Sequence, residues 1–171
     1  EFGAVARLVP EFKKRNTKVI GVSVDDVDDH KKWIRDIEAF AGTQADFPII
    51  DDTSLQVAKL YDMLPADAFL PDGRTAADSA TVRTVFIIGP DKKIRLTMNY
   101  PMSVGRNFAE IIRALDAVQA TDGVPLATPA DWIPGEDVIV ALSLDDDQAR
   151  EQYGEIDVRF PYLRFTKDPN A

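Results

Sequence analysis

Two arginines stand in places that need a reason. Arg83 lies in the middle of Thr81-Val82-Arg83-Thr84-Val85-Phe86-Ile87-Ile88, an apolar run of strand character. A guanidinium there is costly unless it is paired or bound to something; the other reading is a charge snorkelling at a strand end. Arg106, in Val104-Gly105-Arg106-Asn107-Phe108, reads by itself as a solvated loop residue ahead of a helix. Either side chain keeps its charge at all ordinary pH values and offers several donors in one plane. A nucleophile to go with them is missing, because none of the 171 residues is cysteine. That composition excludes a disulfide framework and a thiol-ligated metal.

The other candidates for chemistry have plainer explanations. His30 is the only histidine and stands beside Lys31 and Lys32 with no serine or cysteine near it, so a surface position is expected. Asp25-Asp26-Val27-Asp28-Asp29 and Asp145-Asp146-Asp147 lack calcium-loop spacing and suit the first turns of helices, where acids complement the dipole. Asp91, in Gly89-Pro90-Asp91-Lys92, has the chemistry of a tight turn. Neither a metal nor a cofactor is expected.

The elements that must position these residues follow from periodicity. Val5, Leu8 and Phe12 recur at helical spacing, with Lys13, Lys14 and Arg15 closing the helix. Lys18 to Val24 is a short β-branched strand. Asp25 or Asp26 can cap a helix whose apolar stripe is Trp33, Ile37 and Phe40. Phe47 to Ile50 is a strand and Asp52 to Tyr61 a helix, with Leu55, Ala58 and Leu60 as its inward candidates. Leu64 to Ser79 has Pro65, Pro71 and Asp72-Gly73 without a period and reads as loop. Thr81 to Ile88 is apolar on both faces, as in a sheet interior covered on both sides. Ile94, Leu96, Met98 and Tyr100 alternate with polar residues in the next strand, and Phe108, Ile111, Ile112, Leu115 and Val118 mark a closing helix.

From Asp122 the texture changes. Pro125, Pro129 and Pro134 punctuate a linker, followed by a strand at Val138 to Leu142, an acidic helix at Asp145 to Tyr153 and a strand-like run at Arg159 to Thr166. The expected division is therefore a domain over 1–121 and an appended α+β module over 122–171, too short to hold a core of its own. The order α-β-α-β-α-β-β-α reads as a thioredoxin-type α/β domain lacking its first strands. Net charge is −9, from 29 acids and 20 bases, which argues against nucleic acid or an anionic membrane as the main partner. No run of about 18 apolar residues is present, so no membrane anchor is expected.

Taken together, VPEFKKRN (Val9 to Asn16), VSVDDVDDHKKW (Val22 to Trp33), FPIIDD (Phe47 to Asp52), GPDKK (Gly89 to Lys93), YPMSVGRNF (Tyr100 to Phe108) and TPADW (Thr128 to Trp132) resemble, in order and spacing, the one-cysteine peroxiredoxins. Glu1-Phe2-Gly3 resembles the residues that follow the active-site Pro-Val-Cys-Thr-Thr motif of that subgroup. The resemblance implies a thiol-dependent peroxidase that reduces hydrogen peroxide and organic hydroperoxides through a thiolate and sulfenic acid cycle, in antioxidant defence. Its nucleophile is expected immediately upstream of Glu1.

By the same resemblance, Arg83 matches the arginine that stabilises the thiolate and orients the peroxide. Arg106 matches a second arginine of that site, and Glu1 the carboxylate that links the two. The strand leading into the active-site helix would separate Lys18–Val24 from Thr81–Ile88, leaving those two about 9 to 10 Å apart. Asp91 matches an aspartate linked to acyl hydrolysis in some relatives, and Thr128 a position phosphorylated in some; turn formation and capping are the expectations for them here. The implied partners are a peroxide, an external thiol reductant of glutathione or thioredoxin type, and a second copy of the chain. That copy would join edge to edge at Ile94–Tyr100, with Leu96 and Met98 near the two-fold axis and the C-terminal module crossing over. A cytoplasmic location is expected. The alternative is a thioredoxin-fold protein without thiol chemistry that acts through binding or dimerisation.

Overall fold

A computed structural model describes residues 1–64 and 81–170. The expected loop, apart from Leu64, lies outside the described residues. Two compact units are present, Glu1–Phe108 and Ala109–Ala171. The boundary expected after residue 121 falls at the end of helix α4 (Phe108–Thr121), which by compactness groups with the C-terminal unit.

In the first unit the order is α1 (Phe2–Lys14), β1 (Gly21–Ser23), α2 (Val27–Ala41), β2 (Ile49–Asp51), α3 (Gln56–Leu60), β3 (Arg83–Ile88) and β4 (Ile94–Tyr100). Helix α1 buries Val5 and Phe12, with Leu8 half-buried. Helix α2 is capped by Asp26, whose Oδ1 accepts the Asp29 N–H at 2.9 Å, and it stops at Gly42 in the left-handed region. The acids behind the cap pair with the lysines a turn on, Asp28 with Lys31 and Asp29 with Lys32.

Strands β1 and β2 pair in parallel, with Gly21 opposite Ile49, and β3 and β4 pair antiparallel, with Arg83 opposite Tyr100. The β3–β4 turn closes as its residues dictate. The Lys92 N–H donates to Gly89 O at 2.9 Å, the Gly89 N–H returns to Lys93 O at 2.9 Å, and Lys92 takes φ +65. Among the described residues β1 and β3 share no ladder.

Four expectations about this unit need correction. Phe40 is 94% exposed rather than part of a buried stripe, and Leu60 is also exposed. Helix α3 starts at Gln56 and not at Asp52. Asp52 is instead buried ahead of the helix, where its two carboxylate oxygens accept the N–H groups of Val57 (3.0 Å) and Ala58 (2.7 Å). It thus satisfies the free donors of the first turn from outside the helix. Strand β3 is half-buried over most of its length and exposed at Ile88, because its only ladder among the described residues is with β4. Leu55, Ala58 and Met63 form a small core with Val24, Val82 and Phe86 against them.

In the second unit, α4 precedes β5 (Leu126–Ala127), β6 (Val138–Val140), α5 (Asp146–Tyr153), β7 (Asp157–Phe160) and β8 (Leu163–Thr166). The strands form one antiparallel sheet in the order β5-β6-β8-β7. Contrary to expectation this unit has a core. Trp132, 1% exposed, packs with Leu126, Val138, Val140 and Ala149, and α4 lends Ala120 to the cluster. The indole N–H donates to Glu136 O at 3.0 Å, so the ring is buried without an unmet donor. Asp145 caps α5 in a reciprocal pair with Gln148.

The run Arg159 to Thr166 is a hairpin rather than one strand, turning at Pro161-Tyr162. Behind the hairpin Arg164 is buried and donates to Asp146 Oδ1 (2.8 Å), Ala141 O (2.9 Å) and Leu144 O (2.8 Å), tying β8 to the start of α5.

Asp52→Ala should destabilise the first unit by about 2–3 kcal/mol, since two helix donors and a buried site lose their partner together. Urea unfolding of the chain and the variant measures it; an unchanged midpoint would mean that water replaces the carboxylate at no cost.

Candidate active site

Three side chains expected at the site meet there. Glu1 Oε2 lies 3.1 Å from Arg83 Nη1 and 3.2 Å from Arg106 Nη2. Glu1 Oε1 accepts the Arg106 backbone N–H at 2.9 Å and its Nε–H at 3.3 Å. One carboxylate therefore holds both guanidiniums, and it grips Arg106 by main chain and side chain at once.

Local structure explains how the first residue reaches this position. The Phe2 ring stands edge-on to Phe47 at 5.8 Å and tilted to Trp33 at 6.5 Å. Its flank lies on Gly21 of β1, where an added Cβ would come within 3.0 Å of the ring. Gly21 thus lets the ring approach the backbone closely, and the seated ring places the residue before it. Arg83 starts β3, and Arg106 follows the turn Pro101–Val104, closed by the Val104 N–H on Pro101 O at 2.9 Å. The Arg106 guanidinium carbon also lies 6.0 Å from the centre of the Phe108 ring.

The Glu1 side chain is 27% exposed. Burial pushes its carboxyl up, but the Arg106 N–H, the Arg106 side chain and the charge of Arg83 more than offset this and hold it at about 2. The group is ionised throughout the physiological range, and the cluster carries one net positive charge.

The cluster opens on a cleft of about 410 Å³ lined by Glu1, Arg83 and Arg106 together with Ser23, Asp25, Trp33 and Met102. The last four were not singled out for this role by sequence. Ser23 Oγ donates to Asp25 Oδ2 at 2.6 Å, which orders the rim at the end of β1. Their only signal was adjacency: Ser23 and Asp25 end the β1 segment, and Met102 lies four residues before Arg106.

His30 is a correction. It is 4% exposed, with its ring 5.6 Å from that of Trp33, and its Nε2 is buried without a hydrogen-bond partner among the described residues. Residues 30, 33 and 37 share one helix face at i, i+3 and i+7 spacing, a signal present in the sequence and overridden by the neighbouring lysines. Asp91 is a turn residue: its Oδ1 accepts the Lys93 N–H at 3.2 Å and it pairs with Arg95. Thr128 is half-buried ahead of the turn at Pro129–Trp132. The two acidic runs are accounted for by caps and ion pairs, Asp146 with Arg164 and Asp147 with Arg150. Among the described residues no three His, Asp or Glu side chains are grouped to hold a metal, and no helix is long and apolar enough to cross a membrane.

The α/β order, the parallel β1–β2 pair and the carboxylate-clamped arginine pair accord with the peroxiredoxin-type, thioredoxin-like domain that the matches to known proteins show. Residues 1–97 match the AhpC/TSA family and residues 117–155 the C-terminal domain of 1-Cys peroxiredoxin. The chain is 49% identical over 170 residues to the mitochondrial peroxiredoxin PRX1 of Saccharomyces cerevisiae, covering 98% of this chain and 64% of the relative. It is 42% identical over 179 residues to mouse peroxiredoxin-6, covering 99% and 78%.

Among solved structures, a yeast mitochondrial 1-Cys peroxiredoxin aligns with TM-score 0.86 at 47% identity, over 98% of this chain and 78% of that one. A cysteine-to-serine mutant of peroxiredoxin 6 from Arenicola marina aligns with TM-score 0.88 at 39% identity, over 100% and 79%. The chain belongs to the AhpC/TSA peroxiredoxin family, in its one-cysteine branch. It spans about two thirds of the yeast relative's length and has no cysteine.

Because the Glu1 carboxyl is depressed in the folded state, its contribution is complete above about pH 4.5 and is lost as pH falls toward 2. A depression of that size corresponds to about 3 kcal/mol at neutral pH. Glu1→Gln should therefore lower stability at pH 7, by roughly half as much at pH 3, and hardly at all near pH 2. Denaturant midpoints of both proteins across this range test it, and a pH-independent gap would place the stabilisation elsewhere.

Proposed function

We propose that this chain is the arginine-bearing part of a thiol-dependent peroxidase that reduces hydrogen peroxide and organic hydroperoxides, with the reacting thiol contributed from upstream of Glu1. The observation that carries this reading is the clamp of Arg83 and Arg106 by Glu1 at an open cleft in a chain of the one-cysteine peroxiredoxin branch. A thiol has an ordinary pKa near 8.5, and the thiolate is the attacking form. A neighbouring guanidinium favours the thiolate and donates to the peroxide oxygens as negative charge develops on the departing one. The thiolate takes the distal oxygen, the O–O bond breaks, and water or an alcohol leaves with the proton. The resulting sulfenic acid is returned to thiol by an external reductant. Glu1 fixes both arginines and leaves the cluster one positive charge with which to hold the anionic partner.

The open rows of β1 and β3 support an intervening strand at the centre of the sheet. Among the described residues β1 pairs only with β2 and β3 only with β4. For the reductant, the yeast structure concerns thiol resolution through glutathione/thioredoxin systems, and we extend that class of thiol to this protein. A cytoplasmic location is part of the proposal; the yeast relative is named as mitochondrial, and cell fractionation decides between them. The second reading, a binding or dimerisation protein without thiol chemistry, is favoured by one fact, the absence of cysteine from the 171 residues.

Stopped-flow peroxide consumption tests the activity. The 171-residue chain should show no thiol turnover, whereas a cysteine-bearing parent should. Arg83→Ala in that parent should slow the attack by about 100-fold. Equal rates for the parent and its Arg83 variant would remove Arg83 from the site.

We also propose a homodimer. Among the described residues β4 pairs only with β3, so its far edge is open to a second copy, with Leu96 and Met98 near the axis. Phe160 and Tyr162 stack at 5.5 Å on an exposed face of the C-terminal hairpin, a surface suited to a partner subunit. Sedimentation at micromolar concentration should give a dimer, and Met98→Arg should give a monomer; a monomeric parent contradicts the assignment.

A further inference from the structure

Met102 is the sulfur that the arginine cleft contains. It lines the cleft with Arg83 and Arg106 and is 48% exposed, whereas Met63 is buried in the core beside α3 and Met98 is half-buried in β4. Its place is set by the backbone, since it is the second residue of the turn Pro101–Val104. That turn leads into Arg106, which Glu1 holds by main chain and side chain. Met102 and the two guanidiniums thus line one opening.

We propose that Met102 is a peroxide-reactive site: a hydroperoxide held by the guanidiniums of Arg83 and Arg106 transfers one oxygen atom to the Met102 thioether. This rests on the reading of the cleft as a peroxide site. The sulfur lone pair attacks the distal oxygen, an S–O bond forms and the O–O bond breaks. The proton of the distal oxygen passes to the departing oxygen, which leaves as water or an alcohol. Sulfur loses two electrons and the peroxide gains them, so the products are methionine sulfoxide and one hydroxyl compound, with no further reagent needed. The arginines assist by donating to the departing oxygen as charge grows on it. The product is a polar sulfoxide at the mouth of the cleft, which replaces an apolar rim with an acceptor facing two cations. Oxidation there records exposure to peroxide and changes what the cleft admits.

The test uses the cysteine-bearing parent with its reacting cysteine replaced by serine, so that no thiol competes. It is incubated with hydrogen peroxide beside a blocked methionine as internal reference. Samples are quenched over time and digested, and sulfoxide at Met63, Met98 and Met102 is measured by mass spectrometry. Met102 should react about tenfold faster than the reference, the effect of one charge-assisted hydrogen bond. Arg106→Lys and Arg83→Gln should each bring it close to the reference, with slow Met63 oxidation showing that the variant's core is intact. Met102→Leu should leave the rates at Met63 and Met98 unchanged.

A Met102 rate equal to the reference, or one unmoved in both arginine variants, overturns the proposal. Arginine-dependent thiol turnover in the cysteine-bearing parent with an inert Met102 sinks only the methionine step. Arginine-dependent Met102 oxidation with no thiol turnover in the parent upholds the methionine step and sinks only the thiol reading.

Discussion

One carboxylate between two guanidiniums sets the geometry of this protein's candidate site. Left alone, Arg83 and Arg106 would repel each other, and each would turn to solvent to recover hydration. Glu1 gives both a common partner within 3.2 Å and adds a bond to the Arg106 main chain. The three groups come from the start of α1, the start of β3 and the segment before α4, so a local charge balance ties distant parts of the first unit together. A carboxylate with this many donors remains ionised far below neutral pH.

The clamp depends on packing as well as charge. Glu1 is held because Phe2 is seated against Trp33, Phe47 and the bare backbone of Gly21. A side chain at residue 21 would press on the ring and shift it by a few tenths of an ångström. Apolar packing on one side of α1 thus controls an electrostatic arrangement at its first residue.

The C-terminal unit uses an arginine differently. Arg164 is buried, and its two terminal nitrogens donate to two carbonyls and Asp146, so its charge serves to fasten β8 to the start of α5. Arg83 and Arg106 instead share their single carboxylate at the wall of an open cleft. A guanidinium held by buried acceptors is a structural tie, while two that share one anion at an opening can act on a further anionic or polarisable group.

By itself the sequence determined the order of elements through α4, acidic helix caps at Asp25 or Asp26 and in the Asp145 run, and the turn at Gly89–Lys92, and it marked Arg83, Arg106 and Glu1 as candidates. The first three are local, governed by spacing and by side chains that reach their own backbone. The arginines stood out because of the apolar run around Arg83 and the motifs that surround both. Tertiary structure alone decided what depends on contacts between distant segments. It buried His30 against Trp33 while leaving Phe40 outside. It moved the start of α3 to Gln56 by placing Asp52 under the helix's free donors. It closed a core around Trp132 in a unit that looked too short for one, because α4 supplies part of that core. It also brought Met102 to the arginine cleft. Period and composition rank residues by type, whereas burial depends on which other segment arrives to cover them, and a single stretch of sequence holds no record of that.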